Sequence, residues 1–187
     1  DITVNQNTFI FCGPILSAAS TTKTLNFIGN TIIMNSDSQS LYLTGNNNVK
    51  IFSNQFIKQT GITLLGFSSP PTVQVIDTSA TSSIQDNTFF SLSSQTGVLQ
   101  VTADTTPFQA NLLRNIFINN ACLNGGALYL KSSGDQSATP TATLRSSVFV
   151  LNKALALDIT TGKGGAFHQN SPDQILYTVF SQCTFLK

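Results

Sequence analysis

This chain of 187 residues lacks charge above all, since acidic and basic residues make up 9% of it and no glutamate occurs. Soluble domains ordinarily carry about 25% charged residues. Coiled coils and helical bundles draw heavily on Glu and Lys, so this composition argues against both classes. A formal net charge of +1 also excludes a basic groove for nucleic acid, which needs clustered Lys and Arg to release phosphate counterions.

Long apolar runs and metal-ligating clusters are lacking as well. No run approaches the roughly 18 apolar residues of a membrane-crossing helix, so the sequence predicts no membrane span. The chain has 1 histidine and 3 cysteines, and no group of potential zinc ligands stands close together in the sequence. We therefore expect neither a metal site nor a cofactor.

The polar residues that stand in place of charges include many asparagines, which recur in a repeated pattern. The pattern occurs in seven copies. Each copy begins with an apolar residue, which two variable positions separate from a residue that is usually Asn. One more variable position then precedes a Phe or Ile, and another apolar residue follows it. The first copy runs from Val4 to Ile10. Successive Phe or Ile positions, here called anchors, lie 23 to 36 residues apart. Such an irregular period is typical of a solenoid whose coils carry loops of different length.

The residue types indicate which solenoid the chain forms. Segments between the copies, such as Ser40 to Thr44 and Gly126 to Leu130, have the length and apolar content of strands. Asn tolerates the left-handed backbone of a sharp bend, and its side chain can bond the backbone or a neighbouring amide. The sequence therefore predicts an all-β fold: a right-handed parallel β-helix of about seven coils with loops of variable length, as one segment over residues 1–187.

Two columns of side chains follow from this prediction. The anchors point inward and stack, each Phe burying roughly 150–250 Å², whereas the asparagines form a ladder at one corner. The core stack comprises Phe9, Ile32, Phe56, Phe89, Phe117, Phe149 and Phe185. The structural ladder comprises Asn7, Asn30, Asn54, Asn87 and Asn115. The position after each anchor is always apolar, and two explanations stay open: a bulge that buries it, or an apolar stripe covered by a partner.

Two of the later copies carry a further motif. Phe117-Ile-Asn-Asn120 precedes Gly125-Gly-Ala-Leu128, and Phe149-Val-Leu-Asn152 precedes Gly164-Gly-Ala-Phe167. These segments resemble the FxxN and GGA[ILV] repeats of the chlamydial polymorphic membrane protein family, and the coils resemble those of the wider pectin-lyase-like superfamily. The resemblance implies an exported, elongated β-helix of the kind often used in adhesion.

No catalytic constellation is visible in the sequence. Enzymes of the pectin-lyase-like architecture need several Asp, or Arg with Lys, converging on one face of adjacent coils. The 8 aspartates fall mostly in different loops or turns, and no Asp-Asp pair occurs. His168 could act as a base beside Lys163 or Asp158, but a lone polar residue on a strand is more often simply solvated. We therefore expect no enzyme and no catalytic residue.

The three cysteines, Cys12, Cys122 and Cys183, fall at different positions of the repeat. The nearest pair lies two coils apart, about 10 Å along the axis, whereas a disulfide needs Cα atoms within about 7 Å. The register therefore predicts no disulfide within the chain. Cys183 would replace an asparagine in the ladder, and Cys122 would pack near a turn as a small hydrophobe.

Neither end of the sequence offers a capping helix or a polar terminal repeat, which solenoids usually need. We expect the coils either to continue into a longer chain or to associate end to end with copies of themselves. The predicted function is a structural or adhesive segment of a rod, surface protein or filament, located extracellularly or at the cell surface. The alternative is a carbohydrate-binding or carbohydrate-cleaving β-helix that recognises its ligand through Ser/Thr/Pro-rich loops.

Overall fold

The computed structural model of the chain contains parallel β-strands and no helix among the residues it describes. Those residues are 1–10, 13–19, 24–45, 48–59, 69–76, 81–104, 109–132, 139–155, 164–171 and 176–187. The predicted all-β class and the parallel stacking of strands are confirmed. Cys12 and parts of the predicted loops lie outside the described residues.

The strands, numbered in chain order, form four sheets, of which two contain seven strands each. Sheet A stacks β1 (Ile2–Asn5), β4 (Leu25–Ile28), β7 (Val49–Phe52), β10 (Thr81–Gln85), β14 (Gln109–Leu113), β18 (Thr141–Arg145) and β22 (Tyr177–Ser181). Sheet B stacks β2 (Thr8–Ile10), β5 (Thr31–Met34), β8 (Gln55–Lys58), β11 (Thr88–Phe90), β15 (Ile116–Ile118), β19 (Val148–Val150) and β23 (Thr184–Leu186).

The other two sheets contain fewer strands, six and three. Sheet C stacks β3 (Leu16–Ala18), β6 (Leu41–Thr44), β9 (Val73–Ile76), β13 (Leu99–Ala103), β17 (Leu128–Ser132) and β21 (Phe167–Asn170). Sheet D stacks β12 (Ser93–Thr96), β16 (Ala121–Asn124) and β20 (Lys153–Ala154). The chain passes from sheet A to B to C and then returns to A, which is the strand order of a parallel solenoid. One such passage is called a coil below.

Alternating burial along the strands explains why these residues form them. In β4, Leu25 and Phe27 are fully buried, while the residues that follow each of them are half-buried. The pairing aligns anchor on anchor, so that Phe89 lies between Phe56 and Phe117. A slip of one residue would turn every buried side chain of a strand outward, so the apolar core fixes the register.

A single residue with left-handed backbone turns the chain from sheet A to sheet B in every coil. It stands directly before the ladder position, has φ between 51° and 65°, and is Gln6, Gly29, Ser53, Asp86, Arg114, Ser146 or Gln182. The ladder asparagines, whose residue type tolerates this conformation, do not adopt it themselves. The preceding residue takes the bend because its side chain can point to solvent, which leaves the asparagine side chain free to bond the neighbouring coil.

The two Gly-Gly pairs lie where the chain enters sheet C. Gly125 and Gly164 both adopt φ +65°, a conformation that L side chains rarely take. A Cβ atom on Gly126 would overlap the carbonyl oxygen of Gly165 in the next coil. The motif is therefore explained by a bend followed by a close approach of two backbones.

The anchor rings form a stack inside the solenoid. The ring centroids of Phe56, Phe89, Phe117, Phe149 and Phe185 follow one another at 4.8–5.0 Å, with neighbouring planes within 7° of parallel. Where the anchor is Ile32, the sheet A residue Phe27 supplies the ring instead. Its centroid lies 6.4 Å from those of both Phe9 and Phe56. Aromatic contact therefore continues through the coil that has an aliphatic anchor.

Replacement of Phe117 by alanine tests this core. The Phe117 ring is fully buried and stacked on both sides, so we expect the free energy of unfolding to fall by roughly 3–5 kcal/mol as a cavity opens. Urea denaturation followed by circular dichroism measures the loss. Ile118→Ala, on the outward side of the same strand, is the matched control and should cost clearly less. Equal losses in the two variants would contradict the inward stack.

Candidate functional site

The five predicted ladder asparagines lie in one column at the corner between sheets A and B. The backbone N–H and Nδ2 of Asn7 donate to Oδ1 of Asn30, at 2.9 and 3.2 Å. The same two bonds join Asn30 to Asn54, Asn54 to Asn87 and Asn87 to Asn115, at 2.8–3.1 Å. From Asn30 onward, each Nδ2 also donates to a sheet A carbonyl of the preceding coil. The buried amides of Asn30, Asn54 and Asn87 thereby use both Nδ2 hydrogens and Oδ1, whereas Nδ2 of Asn115 donates to the Ile84 carbonyl alone.

Two further residues continue the column with weaker hydrogen-bonding groups. The Asn115 N–H donates to Oγ of Ser147 at 3.2 Å. Cys183 Sγ donates to the Leu144 carbonyl at 3.5 Å, the equivalent of the 2.7 Å bond from Asn115 Nδ2 to Ile84. The ladder is therefore strong from Asn7 to Asn115 and weaker beyond.

All bonds between ladder side chains run in one direction. Each Oδ1 accepts from the preceding coil, and each backbone N–H donates to the following coil. Two coil faces are left open by this arrangement. The face at Asn7 presents a carbonyl oxygen, Oδ1, and the face at Cys183 presents a backbone N–H. Neither group bonds to a described residue, so the two faces have complementary hydrogen-bonding character.

A second asparagine ladder lies three residues after the anchors and was not predicted. The Leu92 N–H donates to Asn120 Oδ1 at 3.0 Å, and the N–H and Nδ2 of Asn120 donate to Asn152 Oδ1 at 3.1 and 2.9 Å. The Nδ2 atoms of Asn120 and Asn152 also bond the carbonyls of Phe89 and Phe117. The FxxN motif carried the signal, because it places an asparagine at a fixed distance from its anchor.

A buried ion pair between Lys58 and Asp37 was missed as well. The two side chains are only 1% and 3% exposed, and the ammonium contacts Asp37 Oδ2. Asp37 Oδ1 accepts a 2.8 Å bond from the N–H of Ser93, which lies on the edge strand β12 of sheet D. The signal was available in the sequence, since Phe56 points inward and strand alternation turns Lys58 inward two residues later. The partner could not be found, because Asp37 belongs to a different coil.

Cys122 and Cys183 are both free thiols, and Cys12 lies outside the described residues. Cys122 is fully buried, 3.1 Å from Ser94 Oγ, and donates to the Gly126 carbonyl at 3.3 Å. Burial raises the pKa of the Cys122 thiol to about 12, although its hydrogen bonds with Ser94 partly offset the rise. The group is therefore protonated at neutral pH and is not a nucleophile.

The coil face at β22 and β23 exposes side chains that are buried in every inner coil. Phe185 is 50% exposed although its neighbour in the stack, Phe149, is 1% exposed. Phe180, aligned with the buried Leu144, is 41% exposed. The opposite face is similarly open, because Asn7 is exposed while Asn30 is buried. Both faces thus present the inside of a solenoid to solvent.

The apolar position after each anchor points away from the core. Pairing continues without a bulge from Phe90 to Ile118, Val150 and Leu186. Phe90 and Leu186 are exposed, and Ile118 and Val150 are half-buried. Of the two explanations left open by the sequence, the structure therefore has the apolar stripe on the outer surface of sheet B.

A shallow groove of about 270 Å³ lies on the outer face of sheet A. Its lining residues are Gln85, Asn111, Leu112, Leu113, Thr143 and Arg145. Leu113 aligns with Gln85 on one side and Arg145 on the other, so three adjacent coils contribute to it. The groove therefore offers amide, hydroxyl and guanidinium groups around an apolar floor.

The described aspartates do not converge on one place. Asp86 lies at the corner between sheets A and B, where Arg114 bonds both its oxygens at 2.6 and 2.7 Å and holds the pKa of Asp86 below its ordinary value. Asp104 contacts Lys131 at 3.3 Å at the end of sheet C. No group of three or more His, Cys, Asp or Glu suited to a metal ion lies within the described part of the chain. The His168 ring packs 5.3 Å from that of Tyr129.

Comparison with known proteins identified no relative of the chain. No family model, no curated protein and no solved structure matches the chain. In the described segments, no helix is long and apolar enough to cross a membrane. The functional argument therefore depends on the residues and surfaces given above.

Removal of the Lys58 ammonium tests the buried ion pair. Lys58→Met should lower the free energy of unfolding by roughly 3–5 kcal/mol, because it leaves the Asp37 carboxylate buried without its cation. Thermal and urea denaturation at neutral pH measure the change. The control is Arg114→Met, which removes the solvent-exposed partner of Asp86 and should have little effect. A Lys58→Met variant as stable as the parent would show that the pair is not buried.

Proposed function

We propose that the chain is a structural or adhesive segment of an extracellular or cell-surface rod, surface protein or filament. In this proposal the solenoid is a right-handed β-helix of about seven coils, and it works by stacking further coils on its faces. The observation that carries the proposal is the exposure of core and ladder groups at both faces, above all the half-exposed Phe185 beside the buried Phe149.

Stacking is favoured by both burial and hydrogen bonding. Placing the face at Asn7 on the face at Cys183 would bury the Phe185 ring against Phe9 and the Phe180 side chain against Val4. It would also bring the Cys183 N–H to the Asn7 Oδ1. Unpaired strand edges recruit further strands for the same reason. Two identical faces do not match in this way, so the proposed stack is head to tail.

The surface chemistry supports the extracellular part of the proposal. The low charge and the predominance of neutral polar residues suit a repetitive surface protein. The FxxN and GGA segments, at Phe117–Asn120 and Gly125–Leu128 and again one coil later, resemble the repeats of polymorphic membrane proteins. Adhesion would use the lateral surfaces and loops, since the coil faces are engaged in stacking.

The native Cys183 allows a direct test of head-to-tail stacking. In such a stack, residue 7 of one copy and Cys183 of the next occupy adjacent ladder positions, with Cα atoms about 4.8 Å apart, within the range of a disulfide. Asn7→Cys, made in a Cys12→Ser background, should therefore give a series of covalent oligomers on mild oxidation. Non-reducing gel electrophoresis and electron microscopy measure their number and length.

The matched control is Asn5→Cys in the same background, because residue 5 lies on the same coil but outside the ladder column. It should give far fewer oligomers. Dimers linked only through two copies of Cys183 would show tail-to-tail contact and contradict the head-to-tail stack. A monodisperse monomer at high concentration in both variants would contradict stacking by a second copy.

A second candidate function, carbohydrate binding, is favoured by the groove on sheet A. Its Gln85, Asn111 and Thr143 side chains suit sugar hydroxyls, and Leu113 suits the apolar face of a pyranose ring. Arg145 forms no ion pair with a described residue. A guanidinium without a carboxylate partner favours an acidic saccharide over a neutral one.

Binding of acidic oligosaccharides to the purified chain tests this candidate. Arg145→Ala should weaken binding about tenfold or more, the effect of losing a charge-assisted pair of hydrogen bonds. Lys50→Ala, on the outer face of the same sheet but away from the groove, is the matched control and should bind as the parent does. Isothermal titration calorimetry measures both. If the parent chain binds no acidic oligosaccharide, the proposal of carbohydrate recognition at this groove is contradicted.

A further inference from the structure

The buried pair of Lys58 and Asp37 joins two neighbouring coils through their side chains. Asp37 lies in the connection between β5 and β6 of the second coil, and Lys58 is the last residue of β8 in the third coil. The Lys58 ammonium contacts Asp37 Oδ2, and the two side chains are 1% and 3% exposed. A primary amine and a carboxyl group are thus held in contact inside the solenoid, away from bulk water.

The surroundings hold both groups in place. Strand β8 pairs with β5, so Lys58 aligns with the buried Met34, and the Gln59 N–H donates to the Met34 carbonyl at 3.0 Å. On the carboxyl side, Asp37 Oδ1 accepts a 2.8 Å bond from the Ser93 N–H. The Asp37 side chain therefore presents one oxygen to a backbone donor and the other oxygen to the amine.

This arrangement has the parts that acyl transfer requires. Attack on a carboxyl carbon places negative charge on the oxygen that stays behind, and a backbone N–H aimed at that oxygen stabilises the charge. Ser93 supplies such a donor to Asp37 Oδ1. Groups held in contact also react as if at very high concentration, roughly 10⁵–10⁸ M in well-oriented pairs. The contact, the donor and the exclusion of water all favour a bond between the two side chains.

We propose that Lys58 and Asp37 form an intramolecular amide bond after the chain folds. One ammonium proton passes to Oδ2, which leaves a neutral amine facing a carboxylic acid. The Nζ lone pair attacks Cγ, a second Nζ proton passes to Oδ2, and the bond from Cγ to Oδ2 breaks to release one water molecule. The product is an amide between Nζ and Cγ, with Oδ1 as its carbonyl oxygen and the Ser93 N–H as its donor.

The loss of two buried charges favours this product. Burial of an ammonium and a carboxylate costs free energy that their mutual attraction often does not repay, whereas an amide is neutral. The amide also has one donor and one carbonyl oxygen to satisfy, in place of three donors and two charged oxygens. The Ser93 hydroxyl is buried without a hydrogen-bond partner among the described residues, so it can bond the departing water.

The amide would tie the second coil to the third. It would close a covalent loop between positions 21 residues apart, and such a loop lowers the conformational entropy of the unfolded chain. Coils joined in this way cannot separate at this point when the solenoid is pulled along its axis. The inference stands on the interior of the solenoid alone, so it is independent of what the coil faces and the outer surfaces bind.

Intact-protein mass spectrometry under denaturing conditions tests the bond. After incubation of the folded chain at neutral pH, the main species should be lighter than its sequence mass by one water molecule. Trypsin does not cleave after an acylated lysine. Digestion should therefore give a branched peptide in which residues 24–50 are joined, through Asp37 and Lys58, to residues 51–114.

Lys58→Arg is the matched control, because it keeps a cation beside Asp37 but lacks the nucleophilic amine. This variant should have its full sequence mass. The exposed pair of Lys131 and Asp104, 3.3 Å apart, is an internal control and should remain unlinked in the same digest. A parent chain that keeps its full mass after prolonged incubation in the folded state overturns the inference. An equal loss of water in Lys58→Arg overturns it as well, since that loss would come from cyclisation of an aspartate.

Discussion

The bond from a backbone N–H to the asparagine Oδ1 of the next coil is the interaction on which the solenoid depends. At the corners from Asn30 to Asn115 the chain bends, and the buried N–H of the ladder residue donates to a side-chain acceptor in the next coil. A buried donor without a partner would cost about 1–3 kcal/mol at every coil. The asparagine Oδ1 accepts this bond, and the Nδ2 of the same side chain donates to two acceptors, as in Asn54. Stacking therefore proceeds with very few charges, as the composition requires.

A ladder of this kind makes stability a sum over neighbouring coils. From Asn30 to Asn115, neighbouring ladder asparagines are linked by two hydrogen bonds, from the N–H and Nδ2 of one to the Oδ1 of the next. At Ser147 the acceptor is instead a hydroxyl, 3.2 Å from the Asn115 nitrogen. Cys183 then replaces the amide by a thiol at 3.5 Å. The hydrogen bonding thus weakens toward the face that also exposes Phe185. The weakest bonds of the ladder are therefore those made by Ser147 and Cys183.

The parallel stacking could be predicted from the sequence because its determinants are local and repeated. Alternation of apolar residues and a recurring asparagine occur in almost every copy, so each copy supports the others. The left-handed bend residue could not be predicted in this way, since Gln6, Asp86 and Arg114 share no side-chain property beyond exposure. The role of Phe27 was not predicted either. Its ring, from sheet A, fills the place in the stack that Ile32 of sheet B leaves without an aromatic ring, and this contact between two sheets cannot be derived from the repeat pattern of either strand. The partner of Lys58 was hidden for the same reason.

The irregular places of the solenoid follow one physical rule: a strand edge that lacks its neighbour still needs an acceptor for its N–H groups. At β12, the first strand of sheet D, that acceptor is the Asp37 carboxylate, which reaches Ser93 from two coils away. Burial of this carboxylate then requires a cation, which Lys58 provides.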